Sequence, residues 1–225
     1  MFKKKLLIST VAIFAALSCH LVMAKPIKVY FGGDLFTHKD LVGNIYLSNS
    51  IANLSNGRYE FFLAQNKVQQ KVDHKSIKDQ DLKGLLYCDL ALFAFDGTEL
   101  DSGTVVEFIG AKFLDKPSVV YRTDFRGGSG EEGSETKTGN TNKWNLMVSF
   151  YPRTKIVYLN SMVEYQKVLS NANNSSIEYI AKKYSDNIAR KLIYAMDEVL
   201  KTPKILNAQE YKLMNKNFIS LMNIQ

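Results

Sequence analysis

Residues 89–95 have the sequence DLALFAF, and the apolar run within it decides the fold. A strand that is apolar on both faces is typical of the centre of a parallel sheet with helices on both sides. Other predicted strands alternate with predicted helices, which indicates a doubly wound α/β fold of flavodoxin-like or Rossmann-like type with about five strands. These strands are expected at 27–31, 59–63, 118–121 and 155–159, and the first three helices at 41–54, 76–86 and 104–114.

The first 24 residues predict a secretory signal peptide. Three lysines precede an almost entirely apolar run at 6–17, and VMA at 22–24 offers small residues for cleavage. Such a segment is too short and wrongly flanked for a stable membrane span. A lipid anchor is the alternative, because ALSC at 16–19 is an imperfect lipobox that ends at Cys19. The protein is therefore expected to be exported, and to be periplasmic or secreted.

Residues 25–225 are predicted to form a single domain, whose last part, 175–225, is a helical extension. The hydrophobic fraction of 46% is ample for a folded core. The net charge of +7 falls to +4 when the three lysines of the signal peptide are removed. A mild, dispersed positive charge does not indicate a nucleic acid polymer as partner, since that requires a clustered basic stripe.

Several kinds of site are not indicated by the sequence. It contains neither G-x-G-x-x-G nor a P-loop motif, so dinucleotide or triphosphate binding is not expected. His38 and His74 lack the spacing of metal ligands. Cys88 is the one cysteine of residues 25–225 and adjoins the central strand, which is typical of an inert buried thiol. We therefore expect no metal and no organic cofactor.

In a doubly wound sheet, ligands bind beyond the carboxyl ends of the strands, and residues 30–36 (YFGGDLF) leave the first strand there. The two glycines, Gly33 among them, allow the backbone to pass close to a ligand. Tyr30 or Phe36 can stack on a base. Gly33 and Phe36 are therefore candidate substrate-binding residues.

Residues 96–107 (DGTELDSGTVVE) follow the central strand and begin the next helix. Asp101 or Ser102 is expected to cap that helix, which is apolar nearly all round and therefore predicted to be buried. Glu107 lies in its first turns, where the positive helix N-terminus favours an ionised carboxylate suited to nucleophilic attack. The other interpretation of the same residues is a capping aspartate followed by a partly exposed glutamate.

Two later segments belong to the same predicted edge of the sheet. Residues 126–142 are rich in Gly, Ser, Thr and Glu and predict a mobile loop, either beside the ligand or as an idle insertion. Asn145 follows it and can bind a sugar hydroxyl or cap the helix that it begins. Arg122 and Arg126 can bind a phosphate, or they can be surface residues or partners of Asp124.

Four segments in order resemble the nucleoside 2-deoxyribosyltransferase family. They are KVYFGGDLFT at 28–37, YCDLALFAFDG at 87–97, DSGTVVEFIGAKFLDKPSVVYRTDFR at 101–126 and NLM at 145–147. The third is similar to the family's D-x-G-T-x-x-E helix, in which Glu107 follows Asp101 by six residues. The resemblance covers residues 27–150, and residues 108–111 (FIGA) depart from the family's E-x-G spacing by one extra residue.

The resemblance implies a role for each matching residue. Glu107 matches the nucleophile that forms a covalent 2-deoxyribosyl-enzyme, and Tyr30 matches a residue that orients it. Asp101 and Asp89 match the acidic pair that holds the sugar or base and protonates the leaving base. Asn145 matches an amide that reaches the 5′-hydroxyl side of the sugar, often from a neighbouring subunit, which implies a homo-oligomer.

The function expected from this resemblance is the transfer of 2-deoxyribose between nucleobases, with nucleosides and free bases as partners. Gly103, the glycine of the D-x-G-T motif, is expected to contribute to substrate binding. An N-glycosidase that passes the same intermediate to water is the nearest alternative, and an exported nucleoside-binding module without activity is another. The sequence leaves open whether the substrate is a nucleoside or a 5′-nucleotide.

Overall fold

The computed structural model describes residues 25–67, 73–125, 145–173 and 175–224. The predicted signal peptide, the predicted loop at 126–142 and Arg126 lie outside these residues. The strands are β1 (Ile27–Gly32), β2 (Tyr59–Leu63), β3 (Leu90–Ala94), β4 (Ser118–Arg122) and β5 (Thr154–Tyr158). The α-helices are α1 (His38–Leu54), α2 (His74–Tyr87), α3 (Ser102–Phe113), α4 (Ser161–Leu169), α5 (Ile177–Leu200) and α6 (Ala208–Leu221).

The five strands form one parallel sheet in the order β2-β1-β3-β4-β5. This is the flavodoxin-like order, so the predicted doubly wound α/β fold is confirmed. The chain reverses its direction of winding between β1 and β3, whose carboxyl ends are aligned by the pairing of Gly32 with Phe93. Ligands of such sheets bind at this switch point, and the fold therefore directs attention to the residues that follow β1 and β3.

Helices cover both faces of the sheet and enclose two apolar layers. Helices α1 and α5 pack on one face, while α2, α3 and α6 pack on the other. The side chains of neighbouring residues in a strand lie on opposite faces of the sheet. Tyr30 therefore lies in the α2–α3 layer and Phe31 in the α1–α5 layer. This alternation follows from the two-residue period of a strand.

The helices from residue 175 onward are part of the domain core. Ile188, Leu192 and Met196 recur at helical spacing on α5 and are buried against the sheet. Helix α5, the first helix of the predicted extension, therefore shares with α1 the layer that covers one face of the sheet. Helix α6 also folds back, with Phe218 buried against Gly110 of α3. Helix α4 was not predicted from the sequence.

The prediction that α3 is buried on all sides is wrong. Phe108 and Ala111 face the sheet and are fully buried, but Val106 and Phe113 are more than half exposed. Helix α3 packs on one face of the sheet with α2 and α6 beside it, so the side that contacts these elements is covered and the opposite side is exposed. Within the described residues, none of the helices carries an apolar stretch long enough to cross a membrane.

Candidate active site

The carboxylate of Glu107 lies at the switch point between β1 and β3. Glu107 is the sixth residue of α3, and its side chain packs against the backbone of Gly32 at the end of β1. A methyl group added to Gly32 would lie 2.8 Å from Glu107 Oε2 and 2.7 Å from the ring of Phe93. The missing side chain of Gly32 therefore provides the space that the carboxylate occupies.

Tyr30 is buried two residues earlier on the same face of β1, and its hydroxyl faces the Glu107 carboxylate, whose pKa it lowers as a hydrogen-bond donor. Its ring stacks on Phe62, with centroids 5.6 Å apart, and contacts Phe93 at 6.2 Å. Burial, and then the charge of Glu107, raise the pKa of Tyr30 well above its ordinary value, so the hydroxyl stays protonated and donates. Because its ring is enclosed, Tyr30 is not free to stack on a base.

Burial raises the pKa of Glu107 to about 7. The hydrogen bond from Tyr30 opposes this rise, while the nearby charges of Asp81 and Asp101 add to it. The sequence indicated that the helix N-terminus keeps Glu107 ionised, but that influence falls off within the first turn, and Glu107 belongs to the second. The carboxylate and the carboxylic acid are both present near neutral pH.

Asp81 of α2 is a member of this group that the sequence analysis missed. Its charge acts on both Tyr30 and Glu107, and burial raises its own pKa to about 6. A local signal was available, because Asp81 lies one turn before Leu85, which is fully buried on the core-facing side of α2. Burying a carboxylate in an apolar stripe costs folding free energy unless the carboxylate is paired, so its presence there indicates a partner or a function.

Asp89 lies at the opposite edge of the sheet from Glu107. It precedes β3, where its carboxylate accepts a hydrogen bond of 2.9 Å from the backbone N–H of Lys28, and its own N–H donates to the Lys28 carbonyl. The length of β3, roughly 16 Å at the usual rise per residue, separates Asp89 from the carboxyl edge. The expected pairing of Asp89 with Asp101 is therefore corrected, and Asp89 holds the amino ends of β1 and β3 together.

Asp101 is the helix cap that the sequence predicted. Its Oδ2 accepts hydrogen bonds from the backbone N–H of Thr104 at 2.7 Å and from the Thr104 hydroxyl at 2.9 Å. Gly103 is exposed beside it, and a methyl group there would lie 3.1 Å from Asp101 Oδ2. Asp101 is close enough to raise the pKa of both Glu107 and Asp34, so it belongs to the acidic group at this edge.

The remaining candidate residues surround this group with different degrees of exposure. A methyl group on Gly33 would come within 2.9 Å of the Ala94 side chain, so close packing of β1 on β3 requires glycine there. Phe36 is 75% exposed just beyond β1, and its ring is open to solvent. Asn145 is exposed, and its side chain accepts a 2.9 Å hydrogen bond from the backbone N–H of Met147, which caps a short 3₁₀ turn.

Arg122 has a structural task. Its guanidinium is 1% exposed and donates hydrogen bonds of 2.8 Å to the carbonyls of Phe95 and Gly97, with Asp124 at 3.9 Å. Asp96 accepts hydrogen bonds from the backbone N–H groups of Thr123 and Asp124 in the same region. These bonds tie the loops after β3 and β4 together, so the expectation that Arg122 is a partner of Asp124 is confirmed.

The described residues contain no cluster of side chains suited to hold a metal ion. Cys88 is buried, and burial raises the pKa of its thiol to about 11, as expected for an unreactive cysteine. The ionisable groups that converge on the switch point are therefore the carboxyl groups of Glu107, Asp81 and Asp101 together with the Tyr30 hydroxyl. Neighbouring carboxyl groups of this kind are suited to attack on a sugar and to proton transfer.

A family model described as nucleoside 2-deoxyribosyltransferase matches residues 29–148. This chain belongs to that family. The matched part runs from β1 through the 3₁₀ turn that Asn145 caps, and it contains Tyr30, Asp81 and Glu107. Helices α4, α5 and α6 lie outside the match, although α5 completes the core of the domain.

Solved structures with similar folds include a conserved protein from Enterococcus faecalis V583, with 21% sequence identity and a TM-score of 0.53. That match covers 77% of this chain and 99% of the other, and it agrees with the fold described above. A 2-desoxiribosyltransferase from Leishmania mexicana matches 58% of this chain and 90% of its own, at 22% identity and a TM-score of 0.44. A 2-deoxyribosyltransferase from Bacillus psychrosaccharolyticus matches 68% and 95%, at 14% identity and a TM-score of 0.43. No curated protein matches the chain.

Proposed function

We propose that the protein transfers 2-deoxyribose between nucleobases through a covalent intermediate on Glu107. The observation that carries this proposal is the placement of the Glu107 carboxylate at the β1–β3 switch point, against Gly32 and facing the Tyr30 hydroxyl. A carboxylate beside the anomeric carbon stabilises the oxocarbenium-like transition state and then traps it. Membership of the deoxyribosyltransferase family supports the same chemistry.

The reaction proceeds in two displacements. The ionised Glu107 attacks C1′ of the nucleoside, the C1′–N bond breaks, and the base leaves with the bonding electrons and a proton from a nearby acid. The nitrogen of a second base then attacks C1′, which releases the Glu107 carboxylate, and the proton of the incoming base returns to the same acid. Tyr30 holds Glu107 in place for both steps and lowers its pKa, which increases the ionised fraction.

Asp81 is the residue that we propose as the proton donor. Burial raises its pKa to about 6, so near neutral pH it can both hold and release a proton. Asp101 Oδ2 is occupied by the hydrogen bonds of the helix cap, which makes Asp101 better suited to contact a sugar hydroxyl or the base. In this proposal Asp81 takes the role that the resemblance assigned to Asp89.

We propose that a second copy of the chain covers the exposed apolar surface formed by α3 and the adjoining 3₁₀ turn. Its members are Val106, Phe113, Leu146, Met147 and Phe150, each more than half exposed. Asn145 borders this surface, and the resemblance places its counterpart at the sugar of a neighbouring subunit. Light scattering of the wild type and of Phe113→Lys tests the proposal: a dimer or larger assembly that dissociates in the variant supports it, and a wild-type monomer refutes it.

We also propose that residues 1–24 direct export of the protein. Mass spectrometry of the protein from a cell envelope fraction tests this. A chain that begins at Lys25 supports cleavage by signal peptidase, and a chain that begins at a lipidated Cys19 indicates the anchored form. A full-length chain that remains inside the cell refutes the proposal.

The activity is tested with protein that begins at Lys25, incubated with deoxyinosine or thymidine, with and without adenine, and followed by chromatography. Formation of deoxyadenosine only when adenine is present supports the transferase. Free base released without an acceptor indicates an N-glycosidase instead. Glu107→Gln is the control, because it keeps the shape of the side chain and removes the nucleophile. If the wild type consumes neither donor, nor the 5′-phosphates of these donors, both the transferase and the N-glycosidase are refuted. A binding module is then favoured.

A further inference from the structure

Gly84 of α2 lies so close to the ring of Phe62 on β2 that a side chain at residue 84 would overlap the ring. Gly84 is buried against the ring of Phe62, and a methyl group added to it would lie 2.4 Å from Phe62 Cε1 and Cζ. That is well inside the shortest contacts that real side chains make. The ring of Phe62 therefore cannot move toward α2.

The same ring is held by two other neighbours. Its plane is 19° from that of Tyr30, with the centroids 5.6 Å apart, so the two rings are stacked. The ammonium of Lys67 lies over the Phe62 ring, 4.7 Å from its centroid. A flat aromatic ring satisfies both contacts, whereas an aliphatic side chain offers neither stacking nor a cation–π interaction.

We infer that Phe62 is a positioning residue for the nucleophile, because it holds the Tyr30 ring where the Tyr30 hydroxyl donates to Glu107. The inference rests on the proposed role of Glu107. Phe62 does not reach the carboxylate itself and acts through Tyr30. Its place on the edge strand β2 and its partial exposure distinguish it from the fully buried aromatic residues of the central strand.

Loosening Tyr30 changes the electrostatics of Glu107 in a definite direction. The groups that face Glu107 are Tyr30 from β1, Asp81 from α2 and Asp101 at the start of α3. The Tyr30 hydrogen bond is the one that lowers the Glu107 pKa, while the two aspartates and burial raise it. A weaker hydrogen bond from Tyr30 therefore raises the Glu107 pKa and moves the rising limb of the pH–rate profile to higher pH.

Phe61→Leu is a matched control for Phe62→Leu. Phe61 precedes Phe62 on β2 and is also partly buried, but its side chain contacts Phe31 on the other face of the sheet, with centroids 6.0 Å apart. Both substitutions remove an aromatic ring from the same strand. A loss that is merely structural affects both variants, whereas a positioning effect appears only in Phe62→Leu.

The experiment measures kcat, KM and the pH profile of base exchange for the wild type and both variants. We expect Phe62→Leu to lower kcat by about tenfold to a hundredfold with little change in KM, because misplacing a catalytic group weakens transition-state binding more than substrate binding. Its pH midpoint rises, while Phe61→Leu keeps both wild-type values. Equal kcat and equal midpoints in the two variants refute the inference.

A second pair of variants and a second readout separate this inference from the proposed function. Gly84→Ala pushes on the Phe62 ring from α2, and Gly43→Ala is its control, because nothing lies within 4 Å of a methyl group there. We expect the exchange rate to fall only in Gly84→Ala. If the wild type is inactive, the proposed function fails, but NMR titration of ¹³C-labelled Glu107 still tests the positioning. An unchanged titration midpoint in Phe62→Leu overturns it.

Discussion

Replacing Gly32 with alanine tests the geometry of the site at the atom that defines it. The added methyl group would lie 2.7 Å from Phe93 Cδ1 and 2.8 Å from Glu107 Oε2, whereas ordinary contacts of such a carbon begin at 3.4 Å. Both neighbours, or the backbone of β1 itself, must therefore move by about 0.6 Å, a shift that an enclosed ring resists because interiors are close-packed. Phe93 is fully buried and packs edge-on against Phe108, so the partly exposed Glu107 side chain is expected to make the larger shift.

The size of the effect follows from that displacement. Overfilling a packed core costs about 1–3 kcal/mol of folding free energy, so Gly32→Ala is expected to fold with a melting temperature several degrees lower. Moving a catalytic group by about 1 Å can cost on the order of a hundredfold in rate, so a shift of the carboxylate is expected to lower kcat by about tenfold to a hundredfold. KM is expected to change little.

The assay is base exchange between deoxyinosine and adenine, with thermal unfolding measured on the same samples. Gly43→Ala is the control, because the methyl group there enters open space on the exposed side of α1. Alanine in an exposed helix position is expected to stabilise the fold by about 0.4–1 kcal/mol. A Gly32→Ala protein that exchanges bases at the wild-type rate would refute the assignment of the site.

Three further predictions follow from the same geometry. Glu107→Gln is expected to lower the exchange rate by about a thousandfold or more, as loss of a nucleophile does. Glu107→Gln should also remove a pH dependence of stability. In the folded wild type the pKa of Glu107 is about 7, against an ordinary value of 4.5, so the folded state holds this proton at pH values where the unfolded state has lost it. The free energy of unfolding of the wild type therefore falls as the pH rises between these two values. Denaturant unfolding at pH 5 and pH 8 checks this, and parallel wild-type and variant curves contradict it. Tyr30→Phe removes the hydrogen bond that lowers the Glu107 pKa, so the midpoint of its pH–rate profile should lie above that of the wild type; an unchanged midpoint shows that the bond is not formed. Asp89→Ala should keep the wild-type exchange rate and lose about 0.5–1.5 kcal/mol of stability with its hydrogen bond to Lys28; a large loss of activity would return Asp89 to the site.

The fold could be derived from the sequence because the apolar residues that become buried recur with the period of a strand or a helix. The apolar run of β3 and the alternation of strands with helices predict a covered parallel sheet, and the predicted bounds of β2, 59–63, agree with the structure. The D-x-G-T-x-x-E pattern likewise places Asp101 at a helix cap and Glu107 beyond it, since capping is a local interaction. Helix α4 was missed because its nine residues carry only two buried positions.

Which residues form the site depends on which ends of helices and strands, distant in the sequence, lie together in the fold. Asp89 and Asp96 flank the same strand and therefore lie at opposite ends of it, so Asp89 is held at the amino ends of β1 and β3, away from Glu107. Asp81 approaches Glu107 because α2 packs against α3 and β1, elements that lie apart from it in the chain. Local patterns determine which residues are buried, whereas only the packed tertiary structure determines which buried ionisable groups lie close enough to shift one another's pKa.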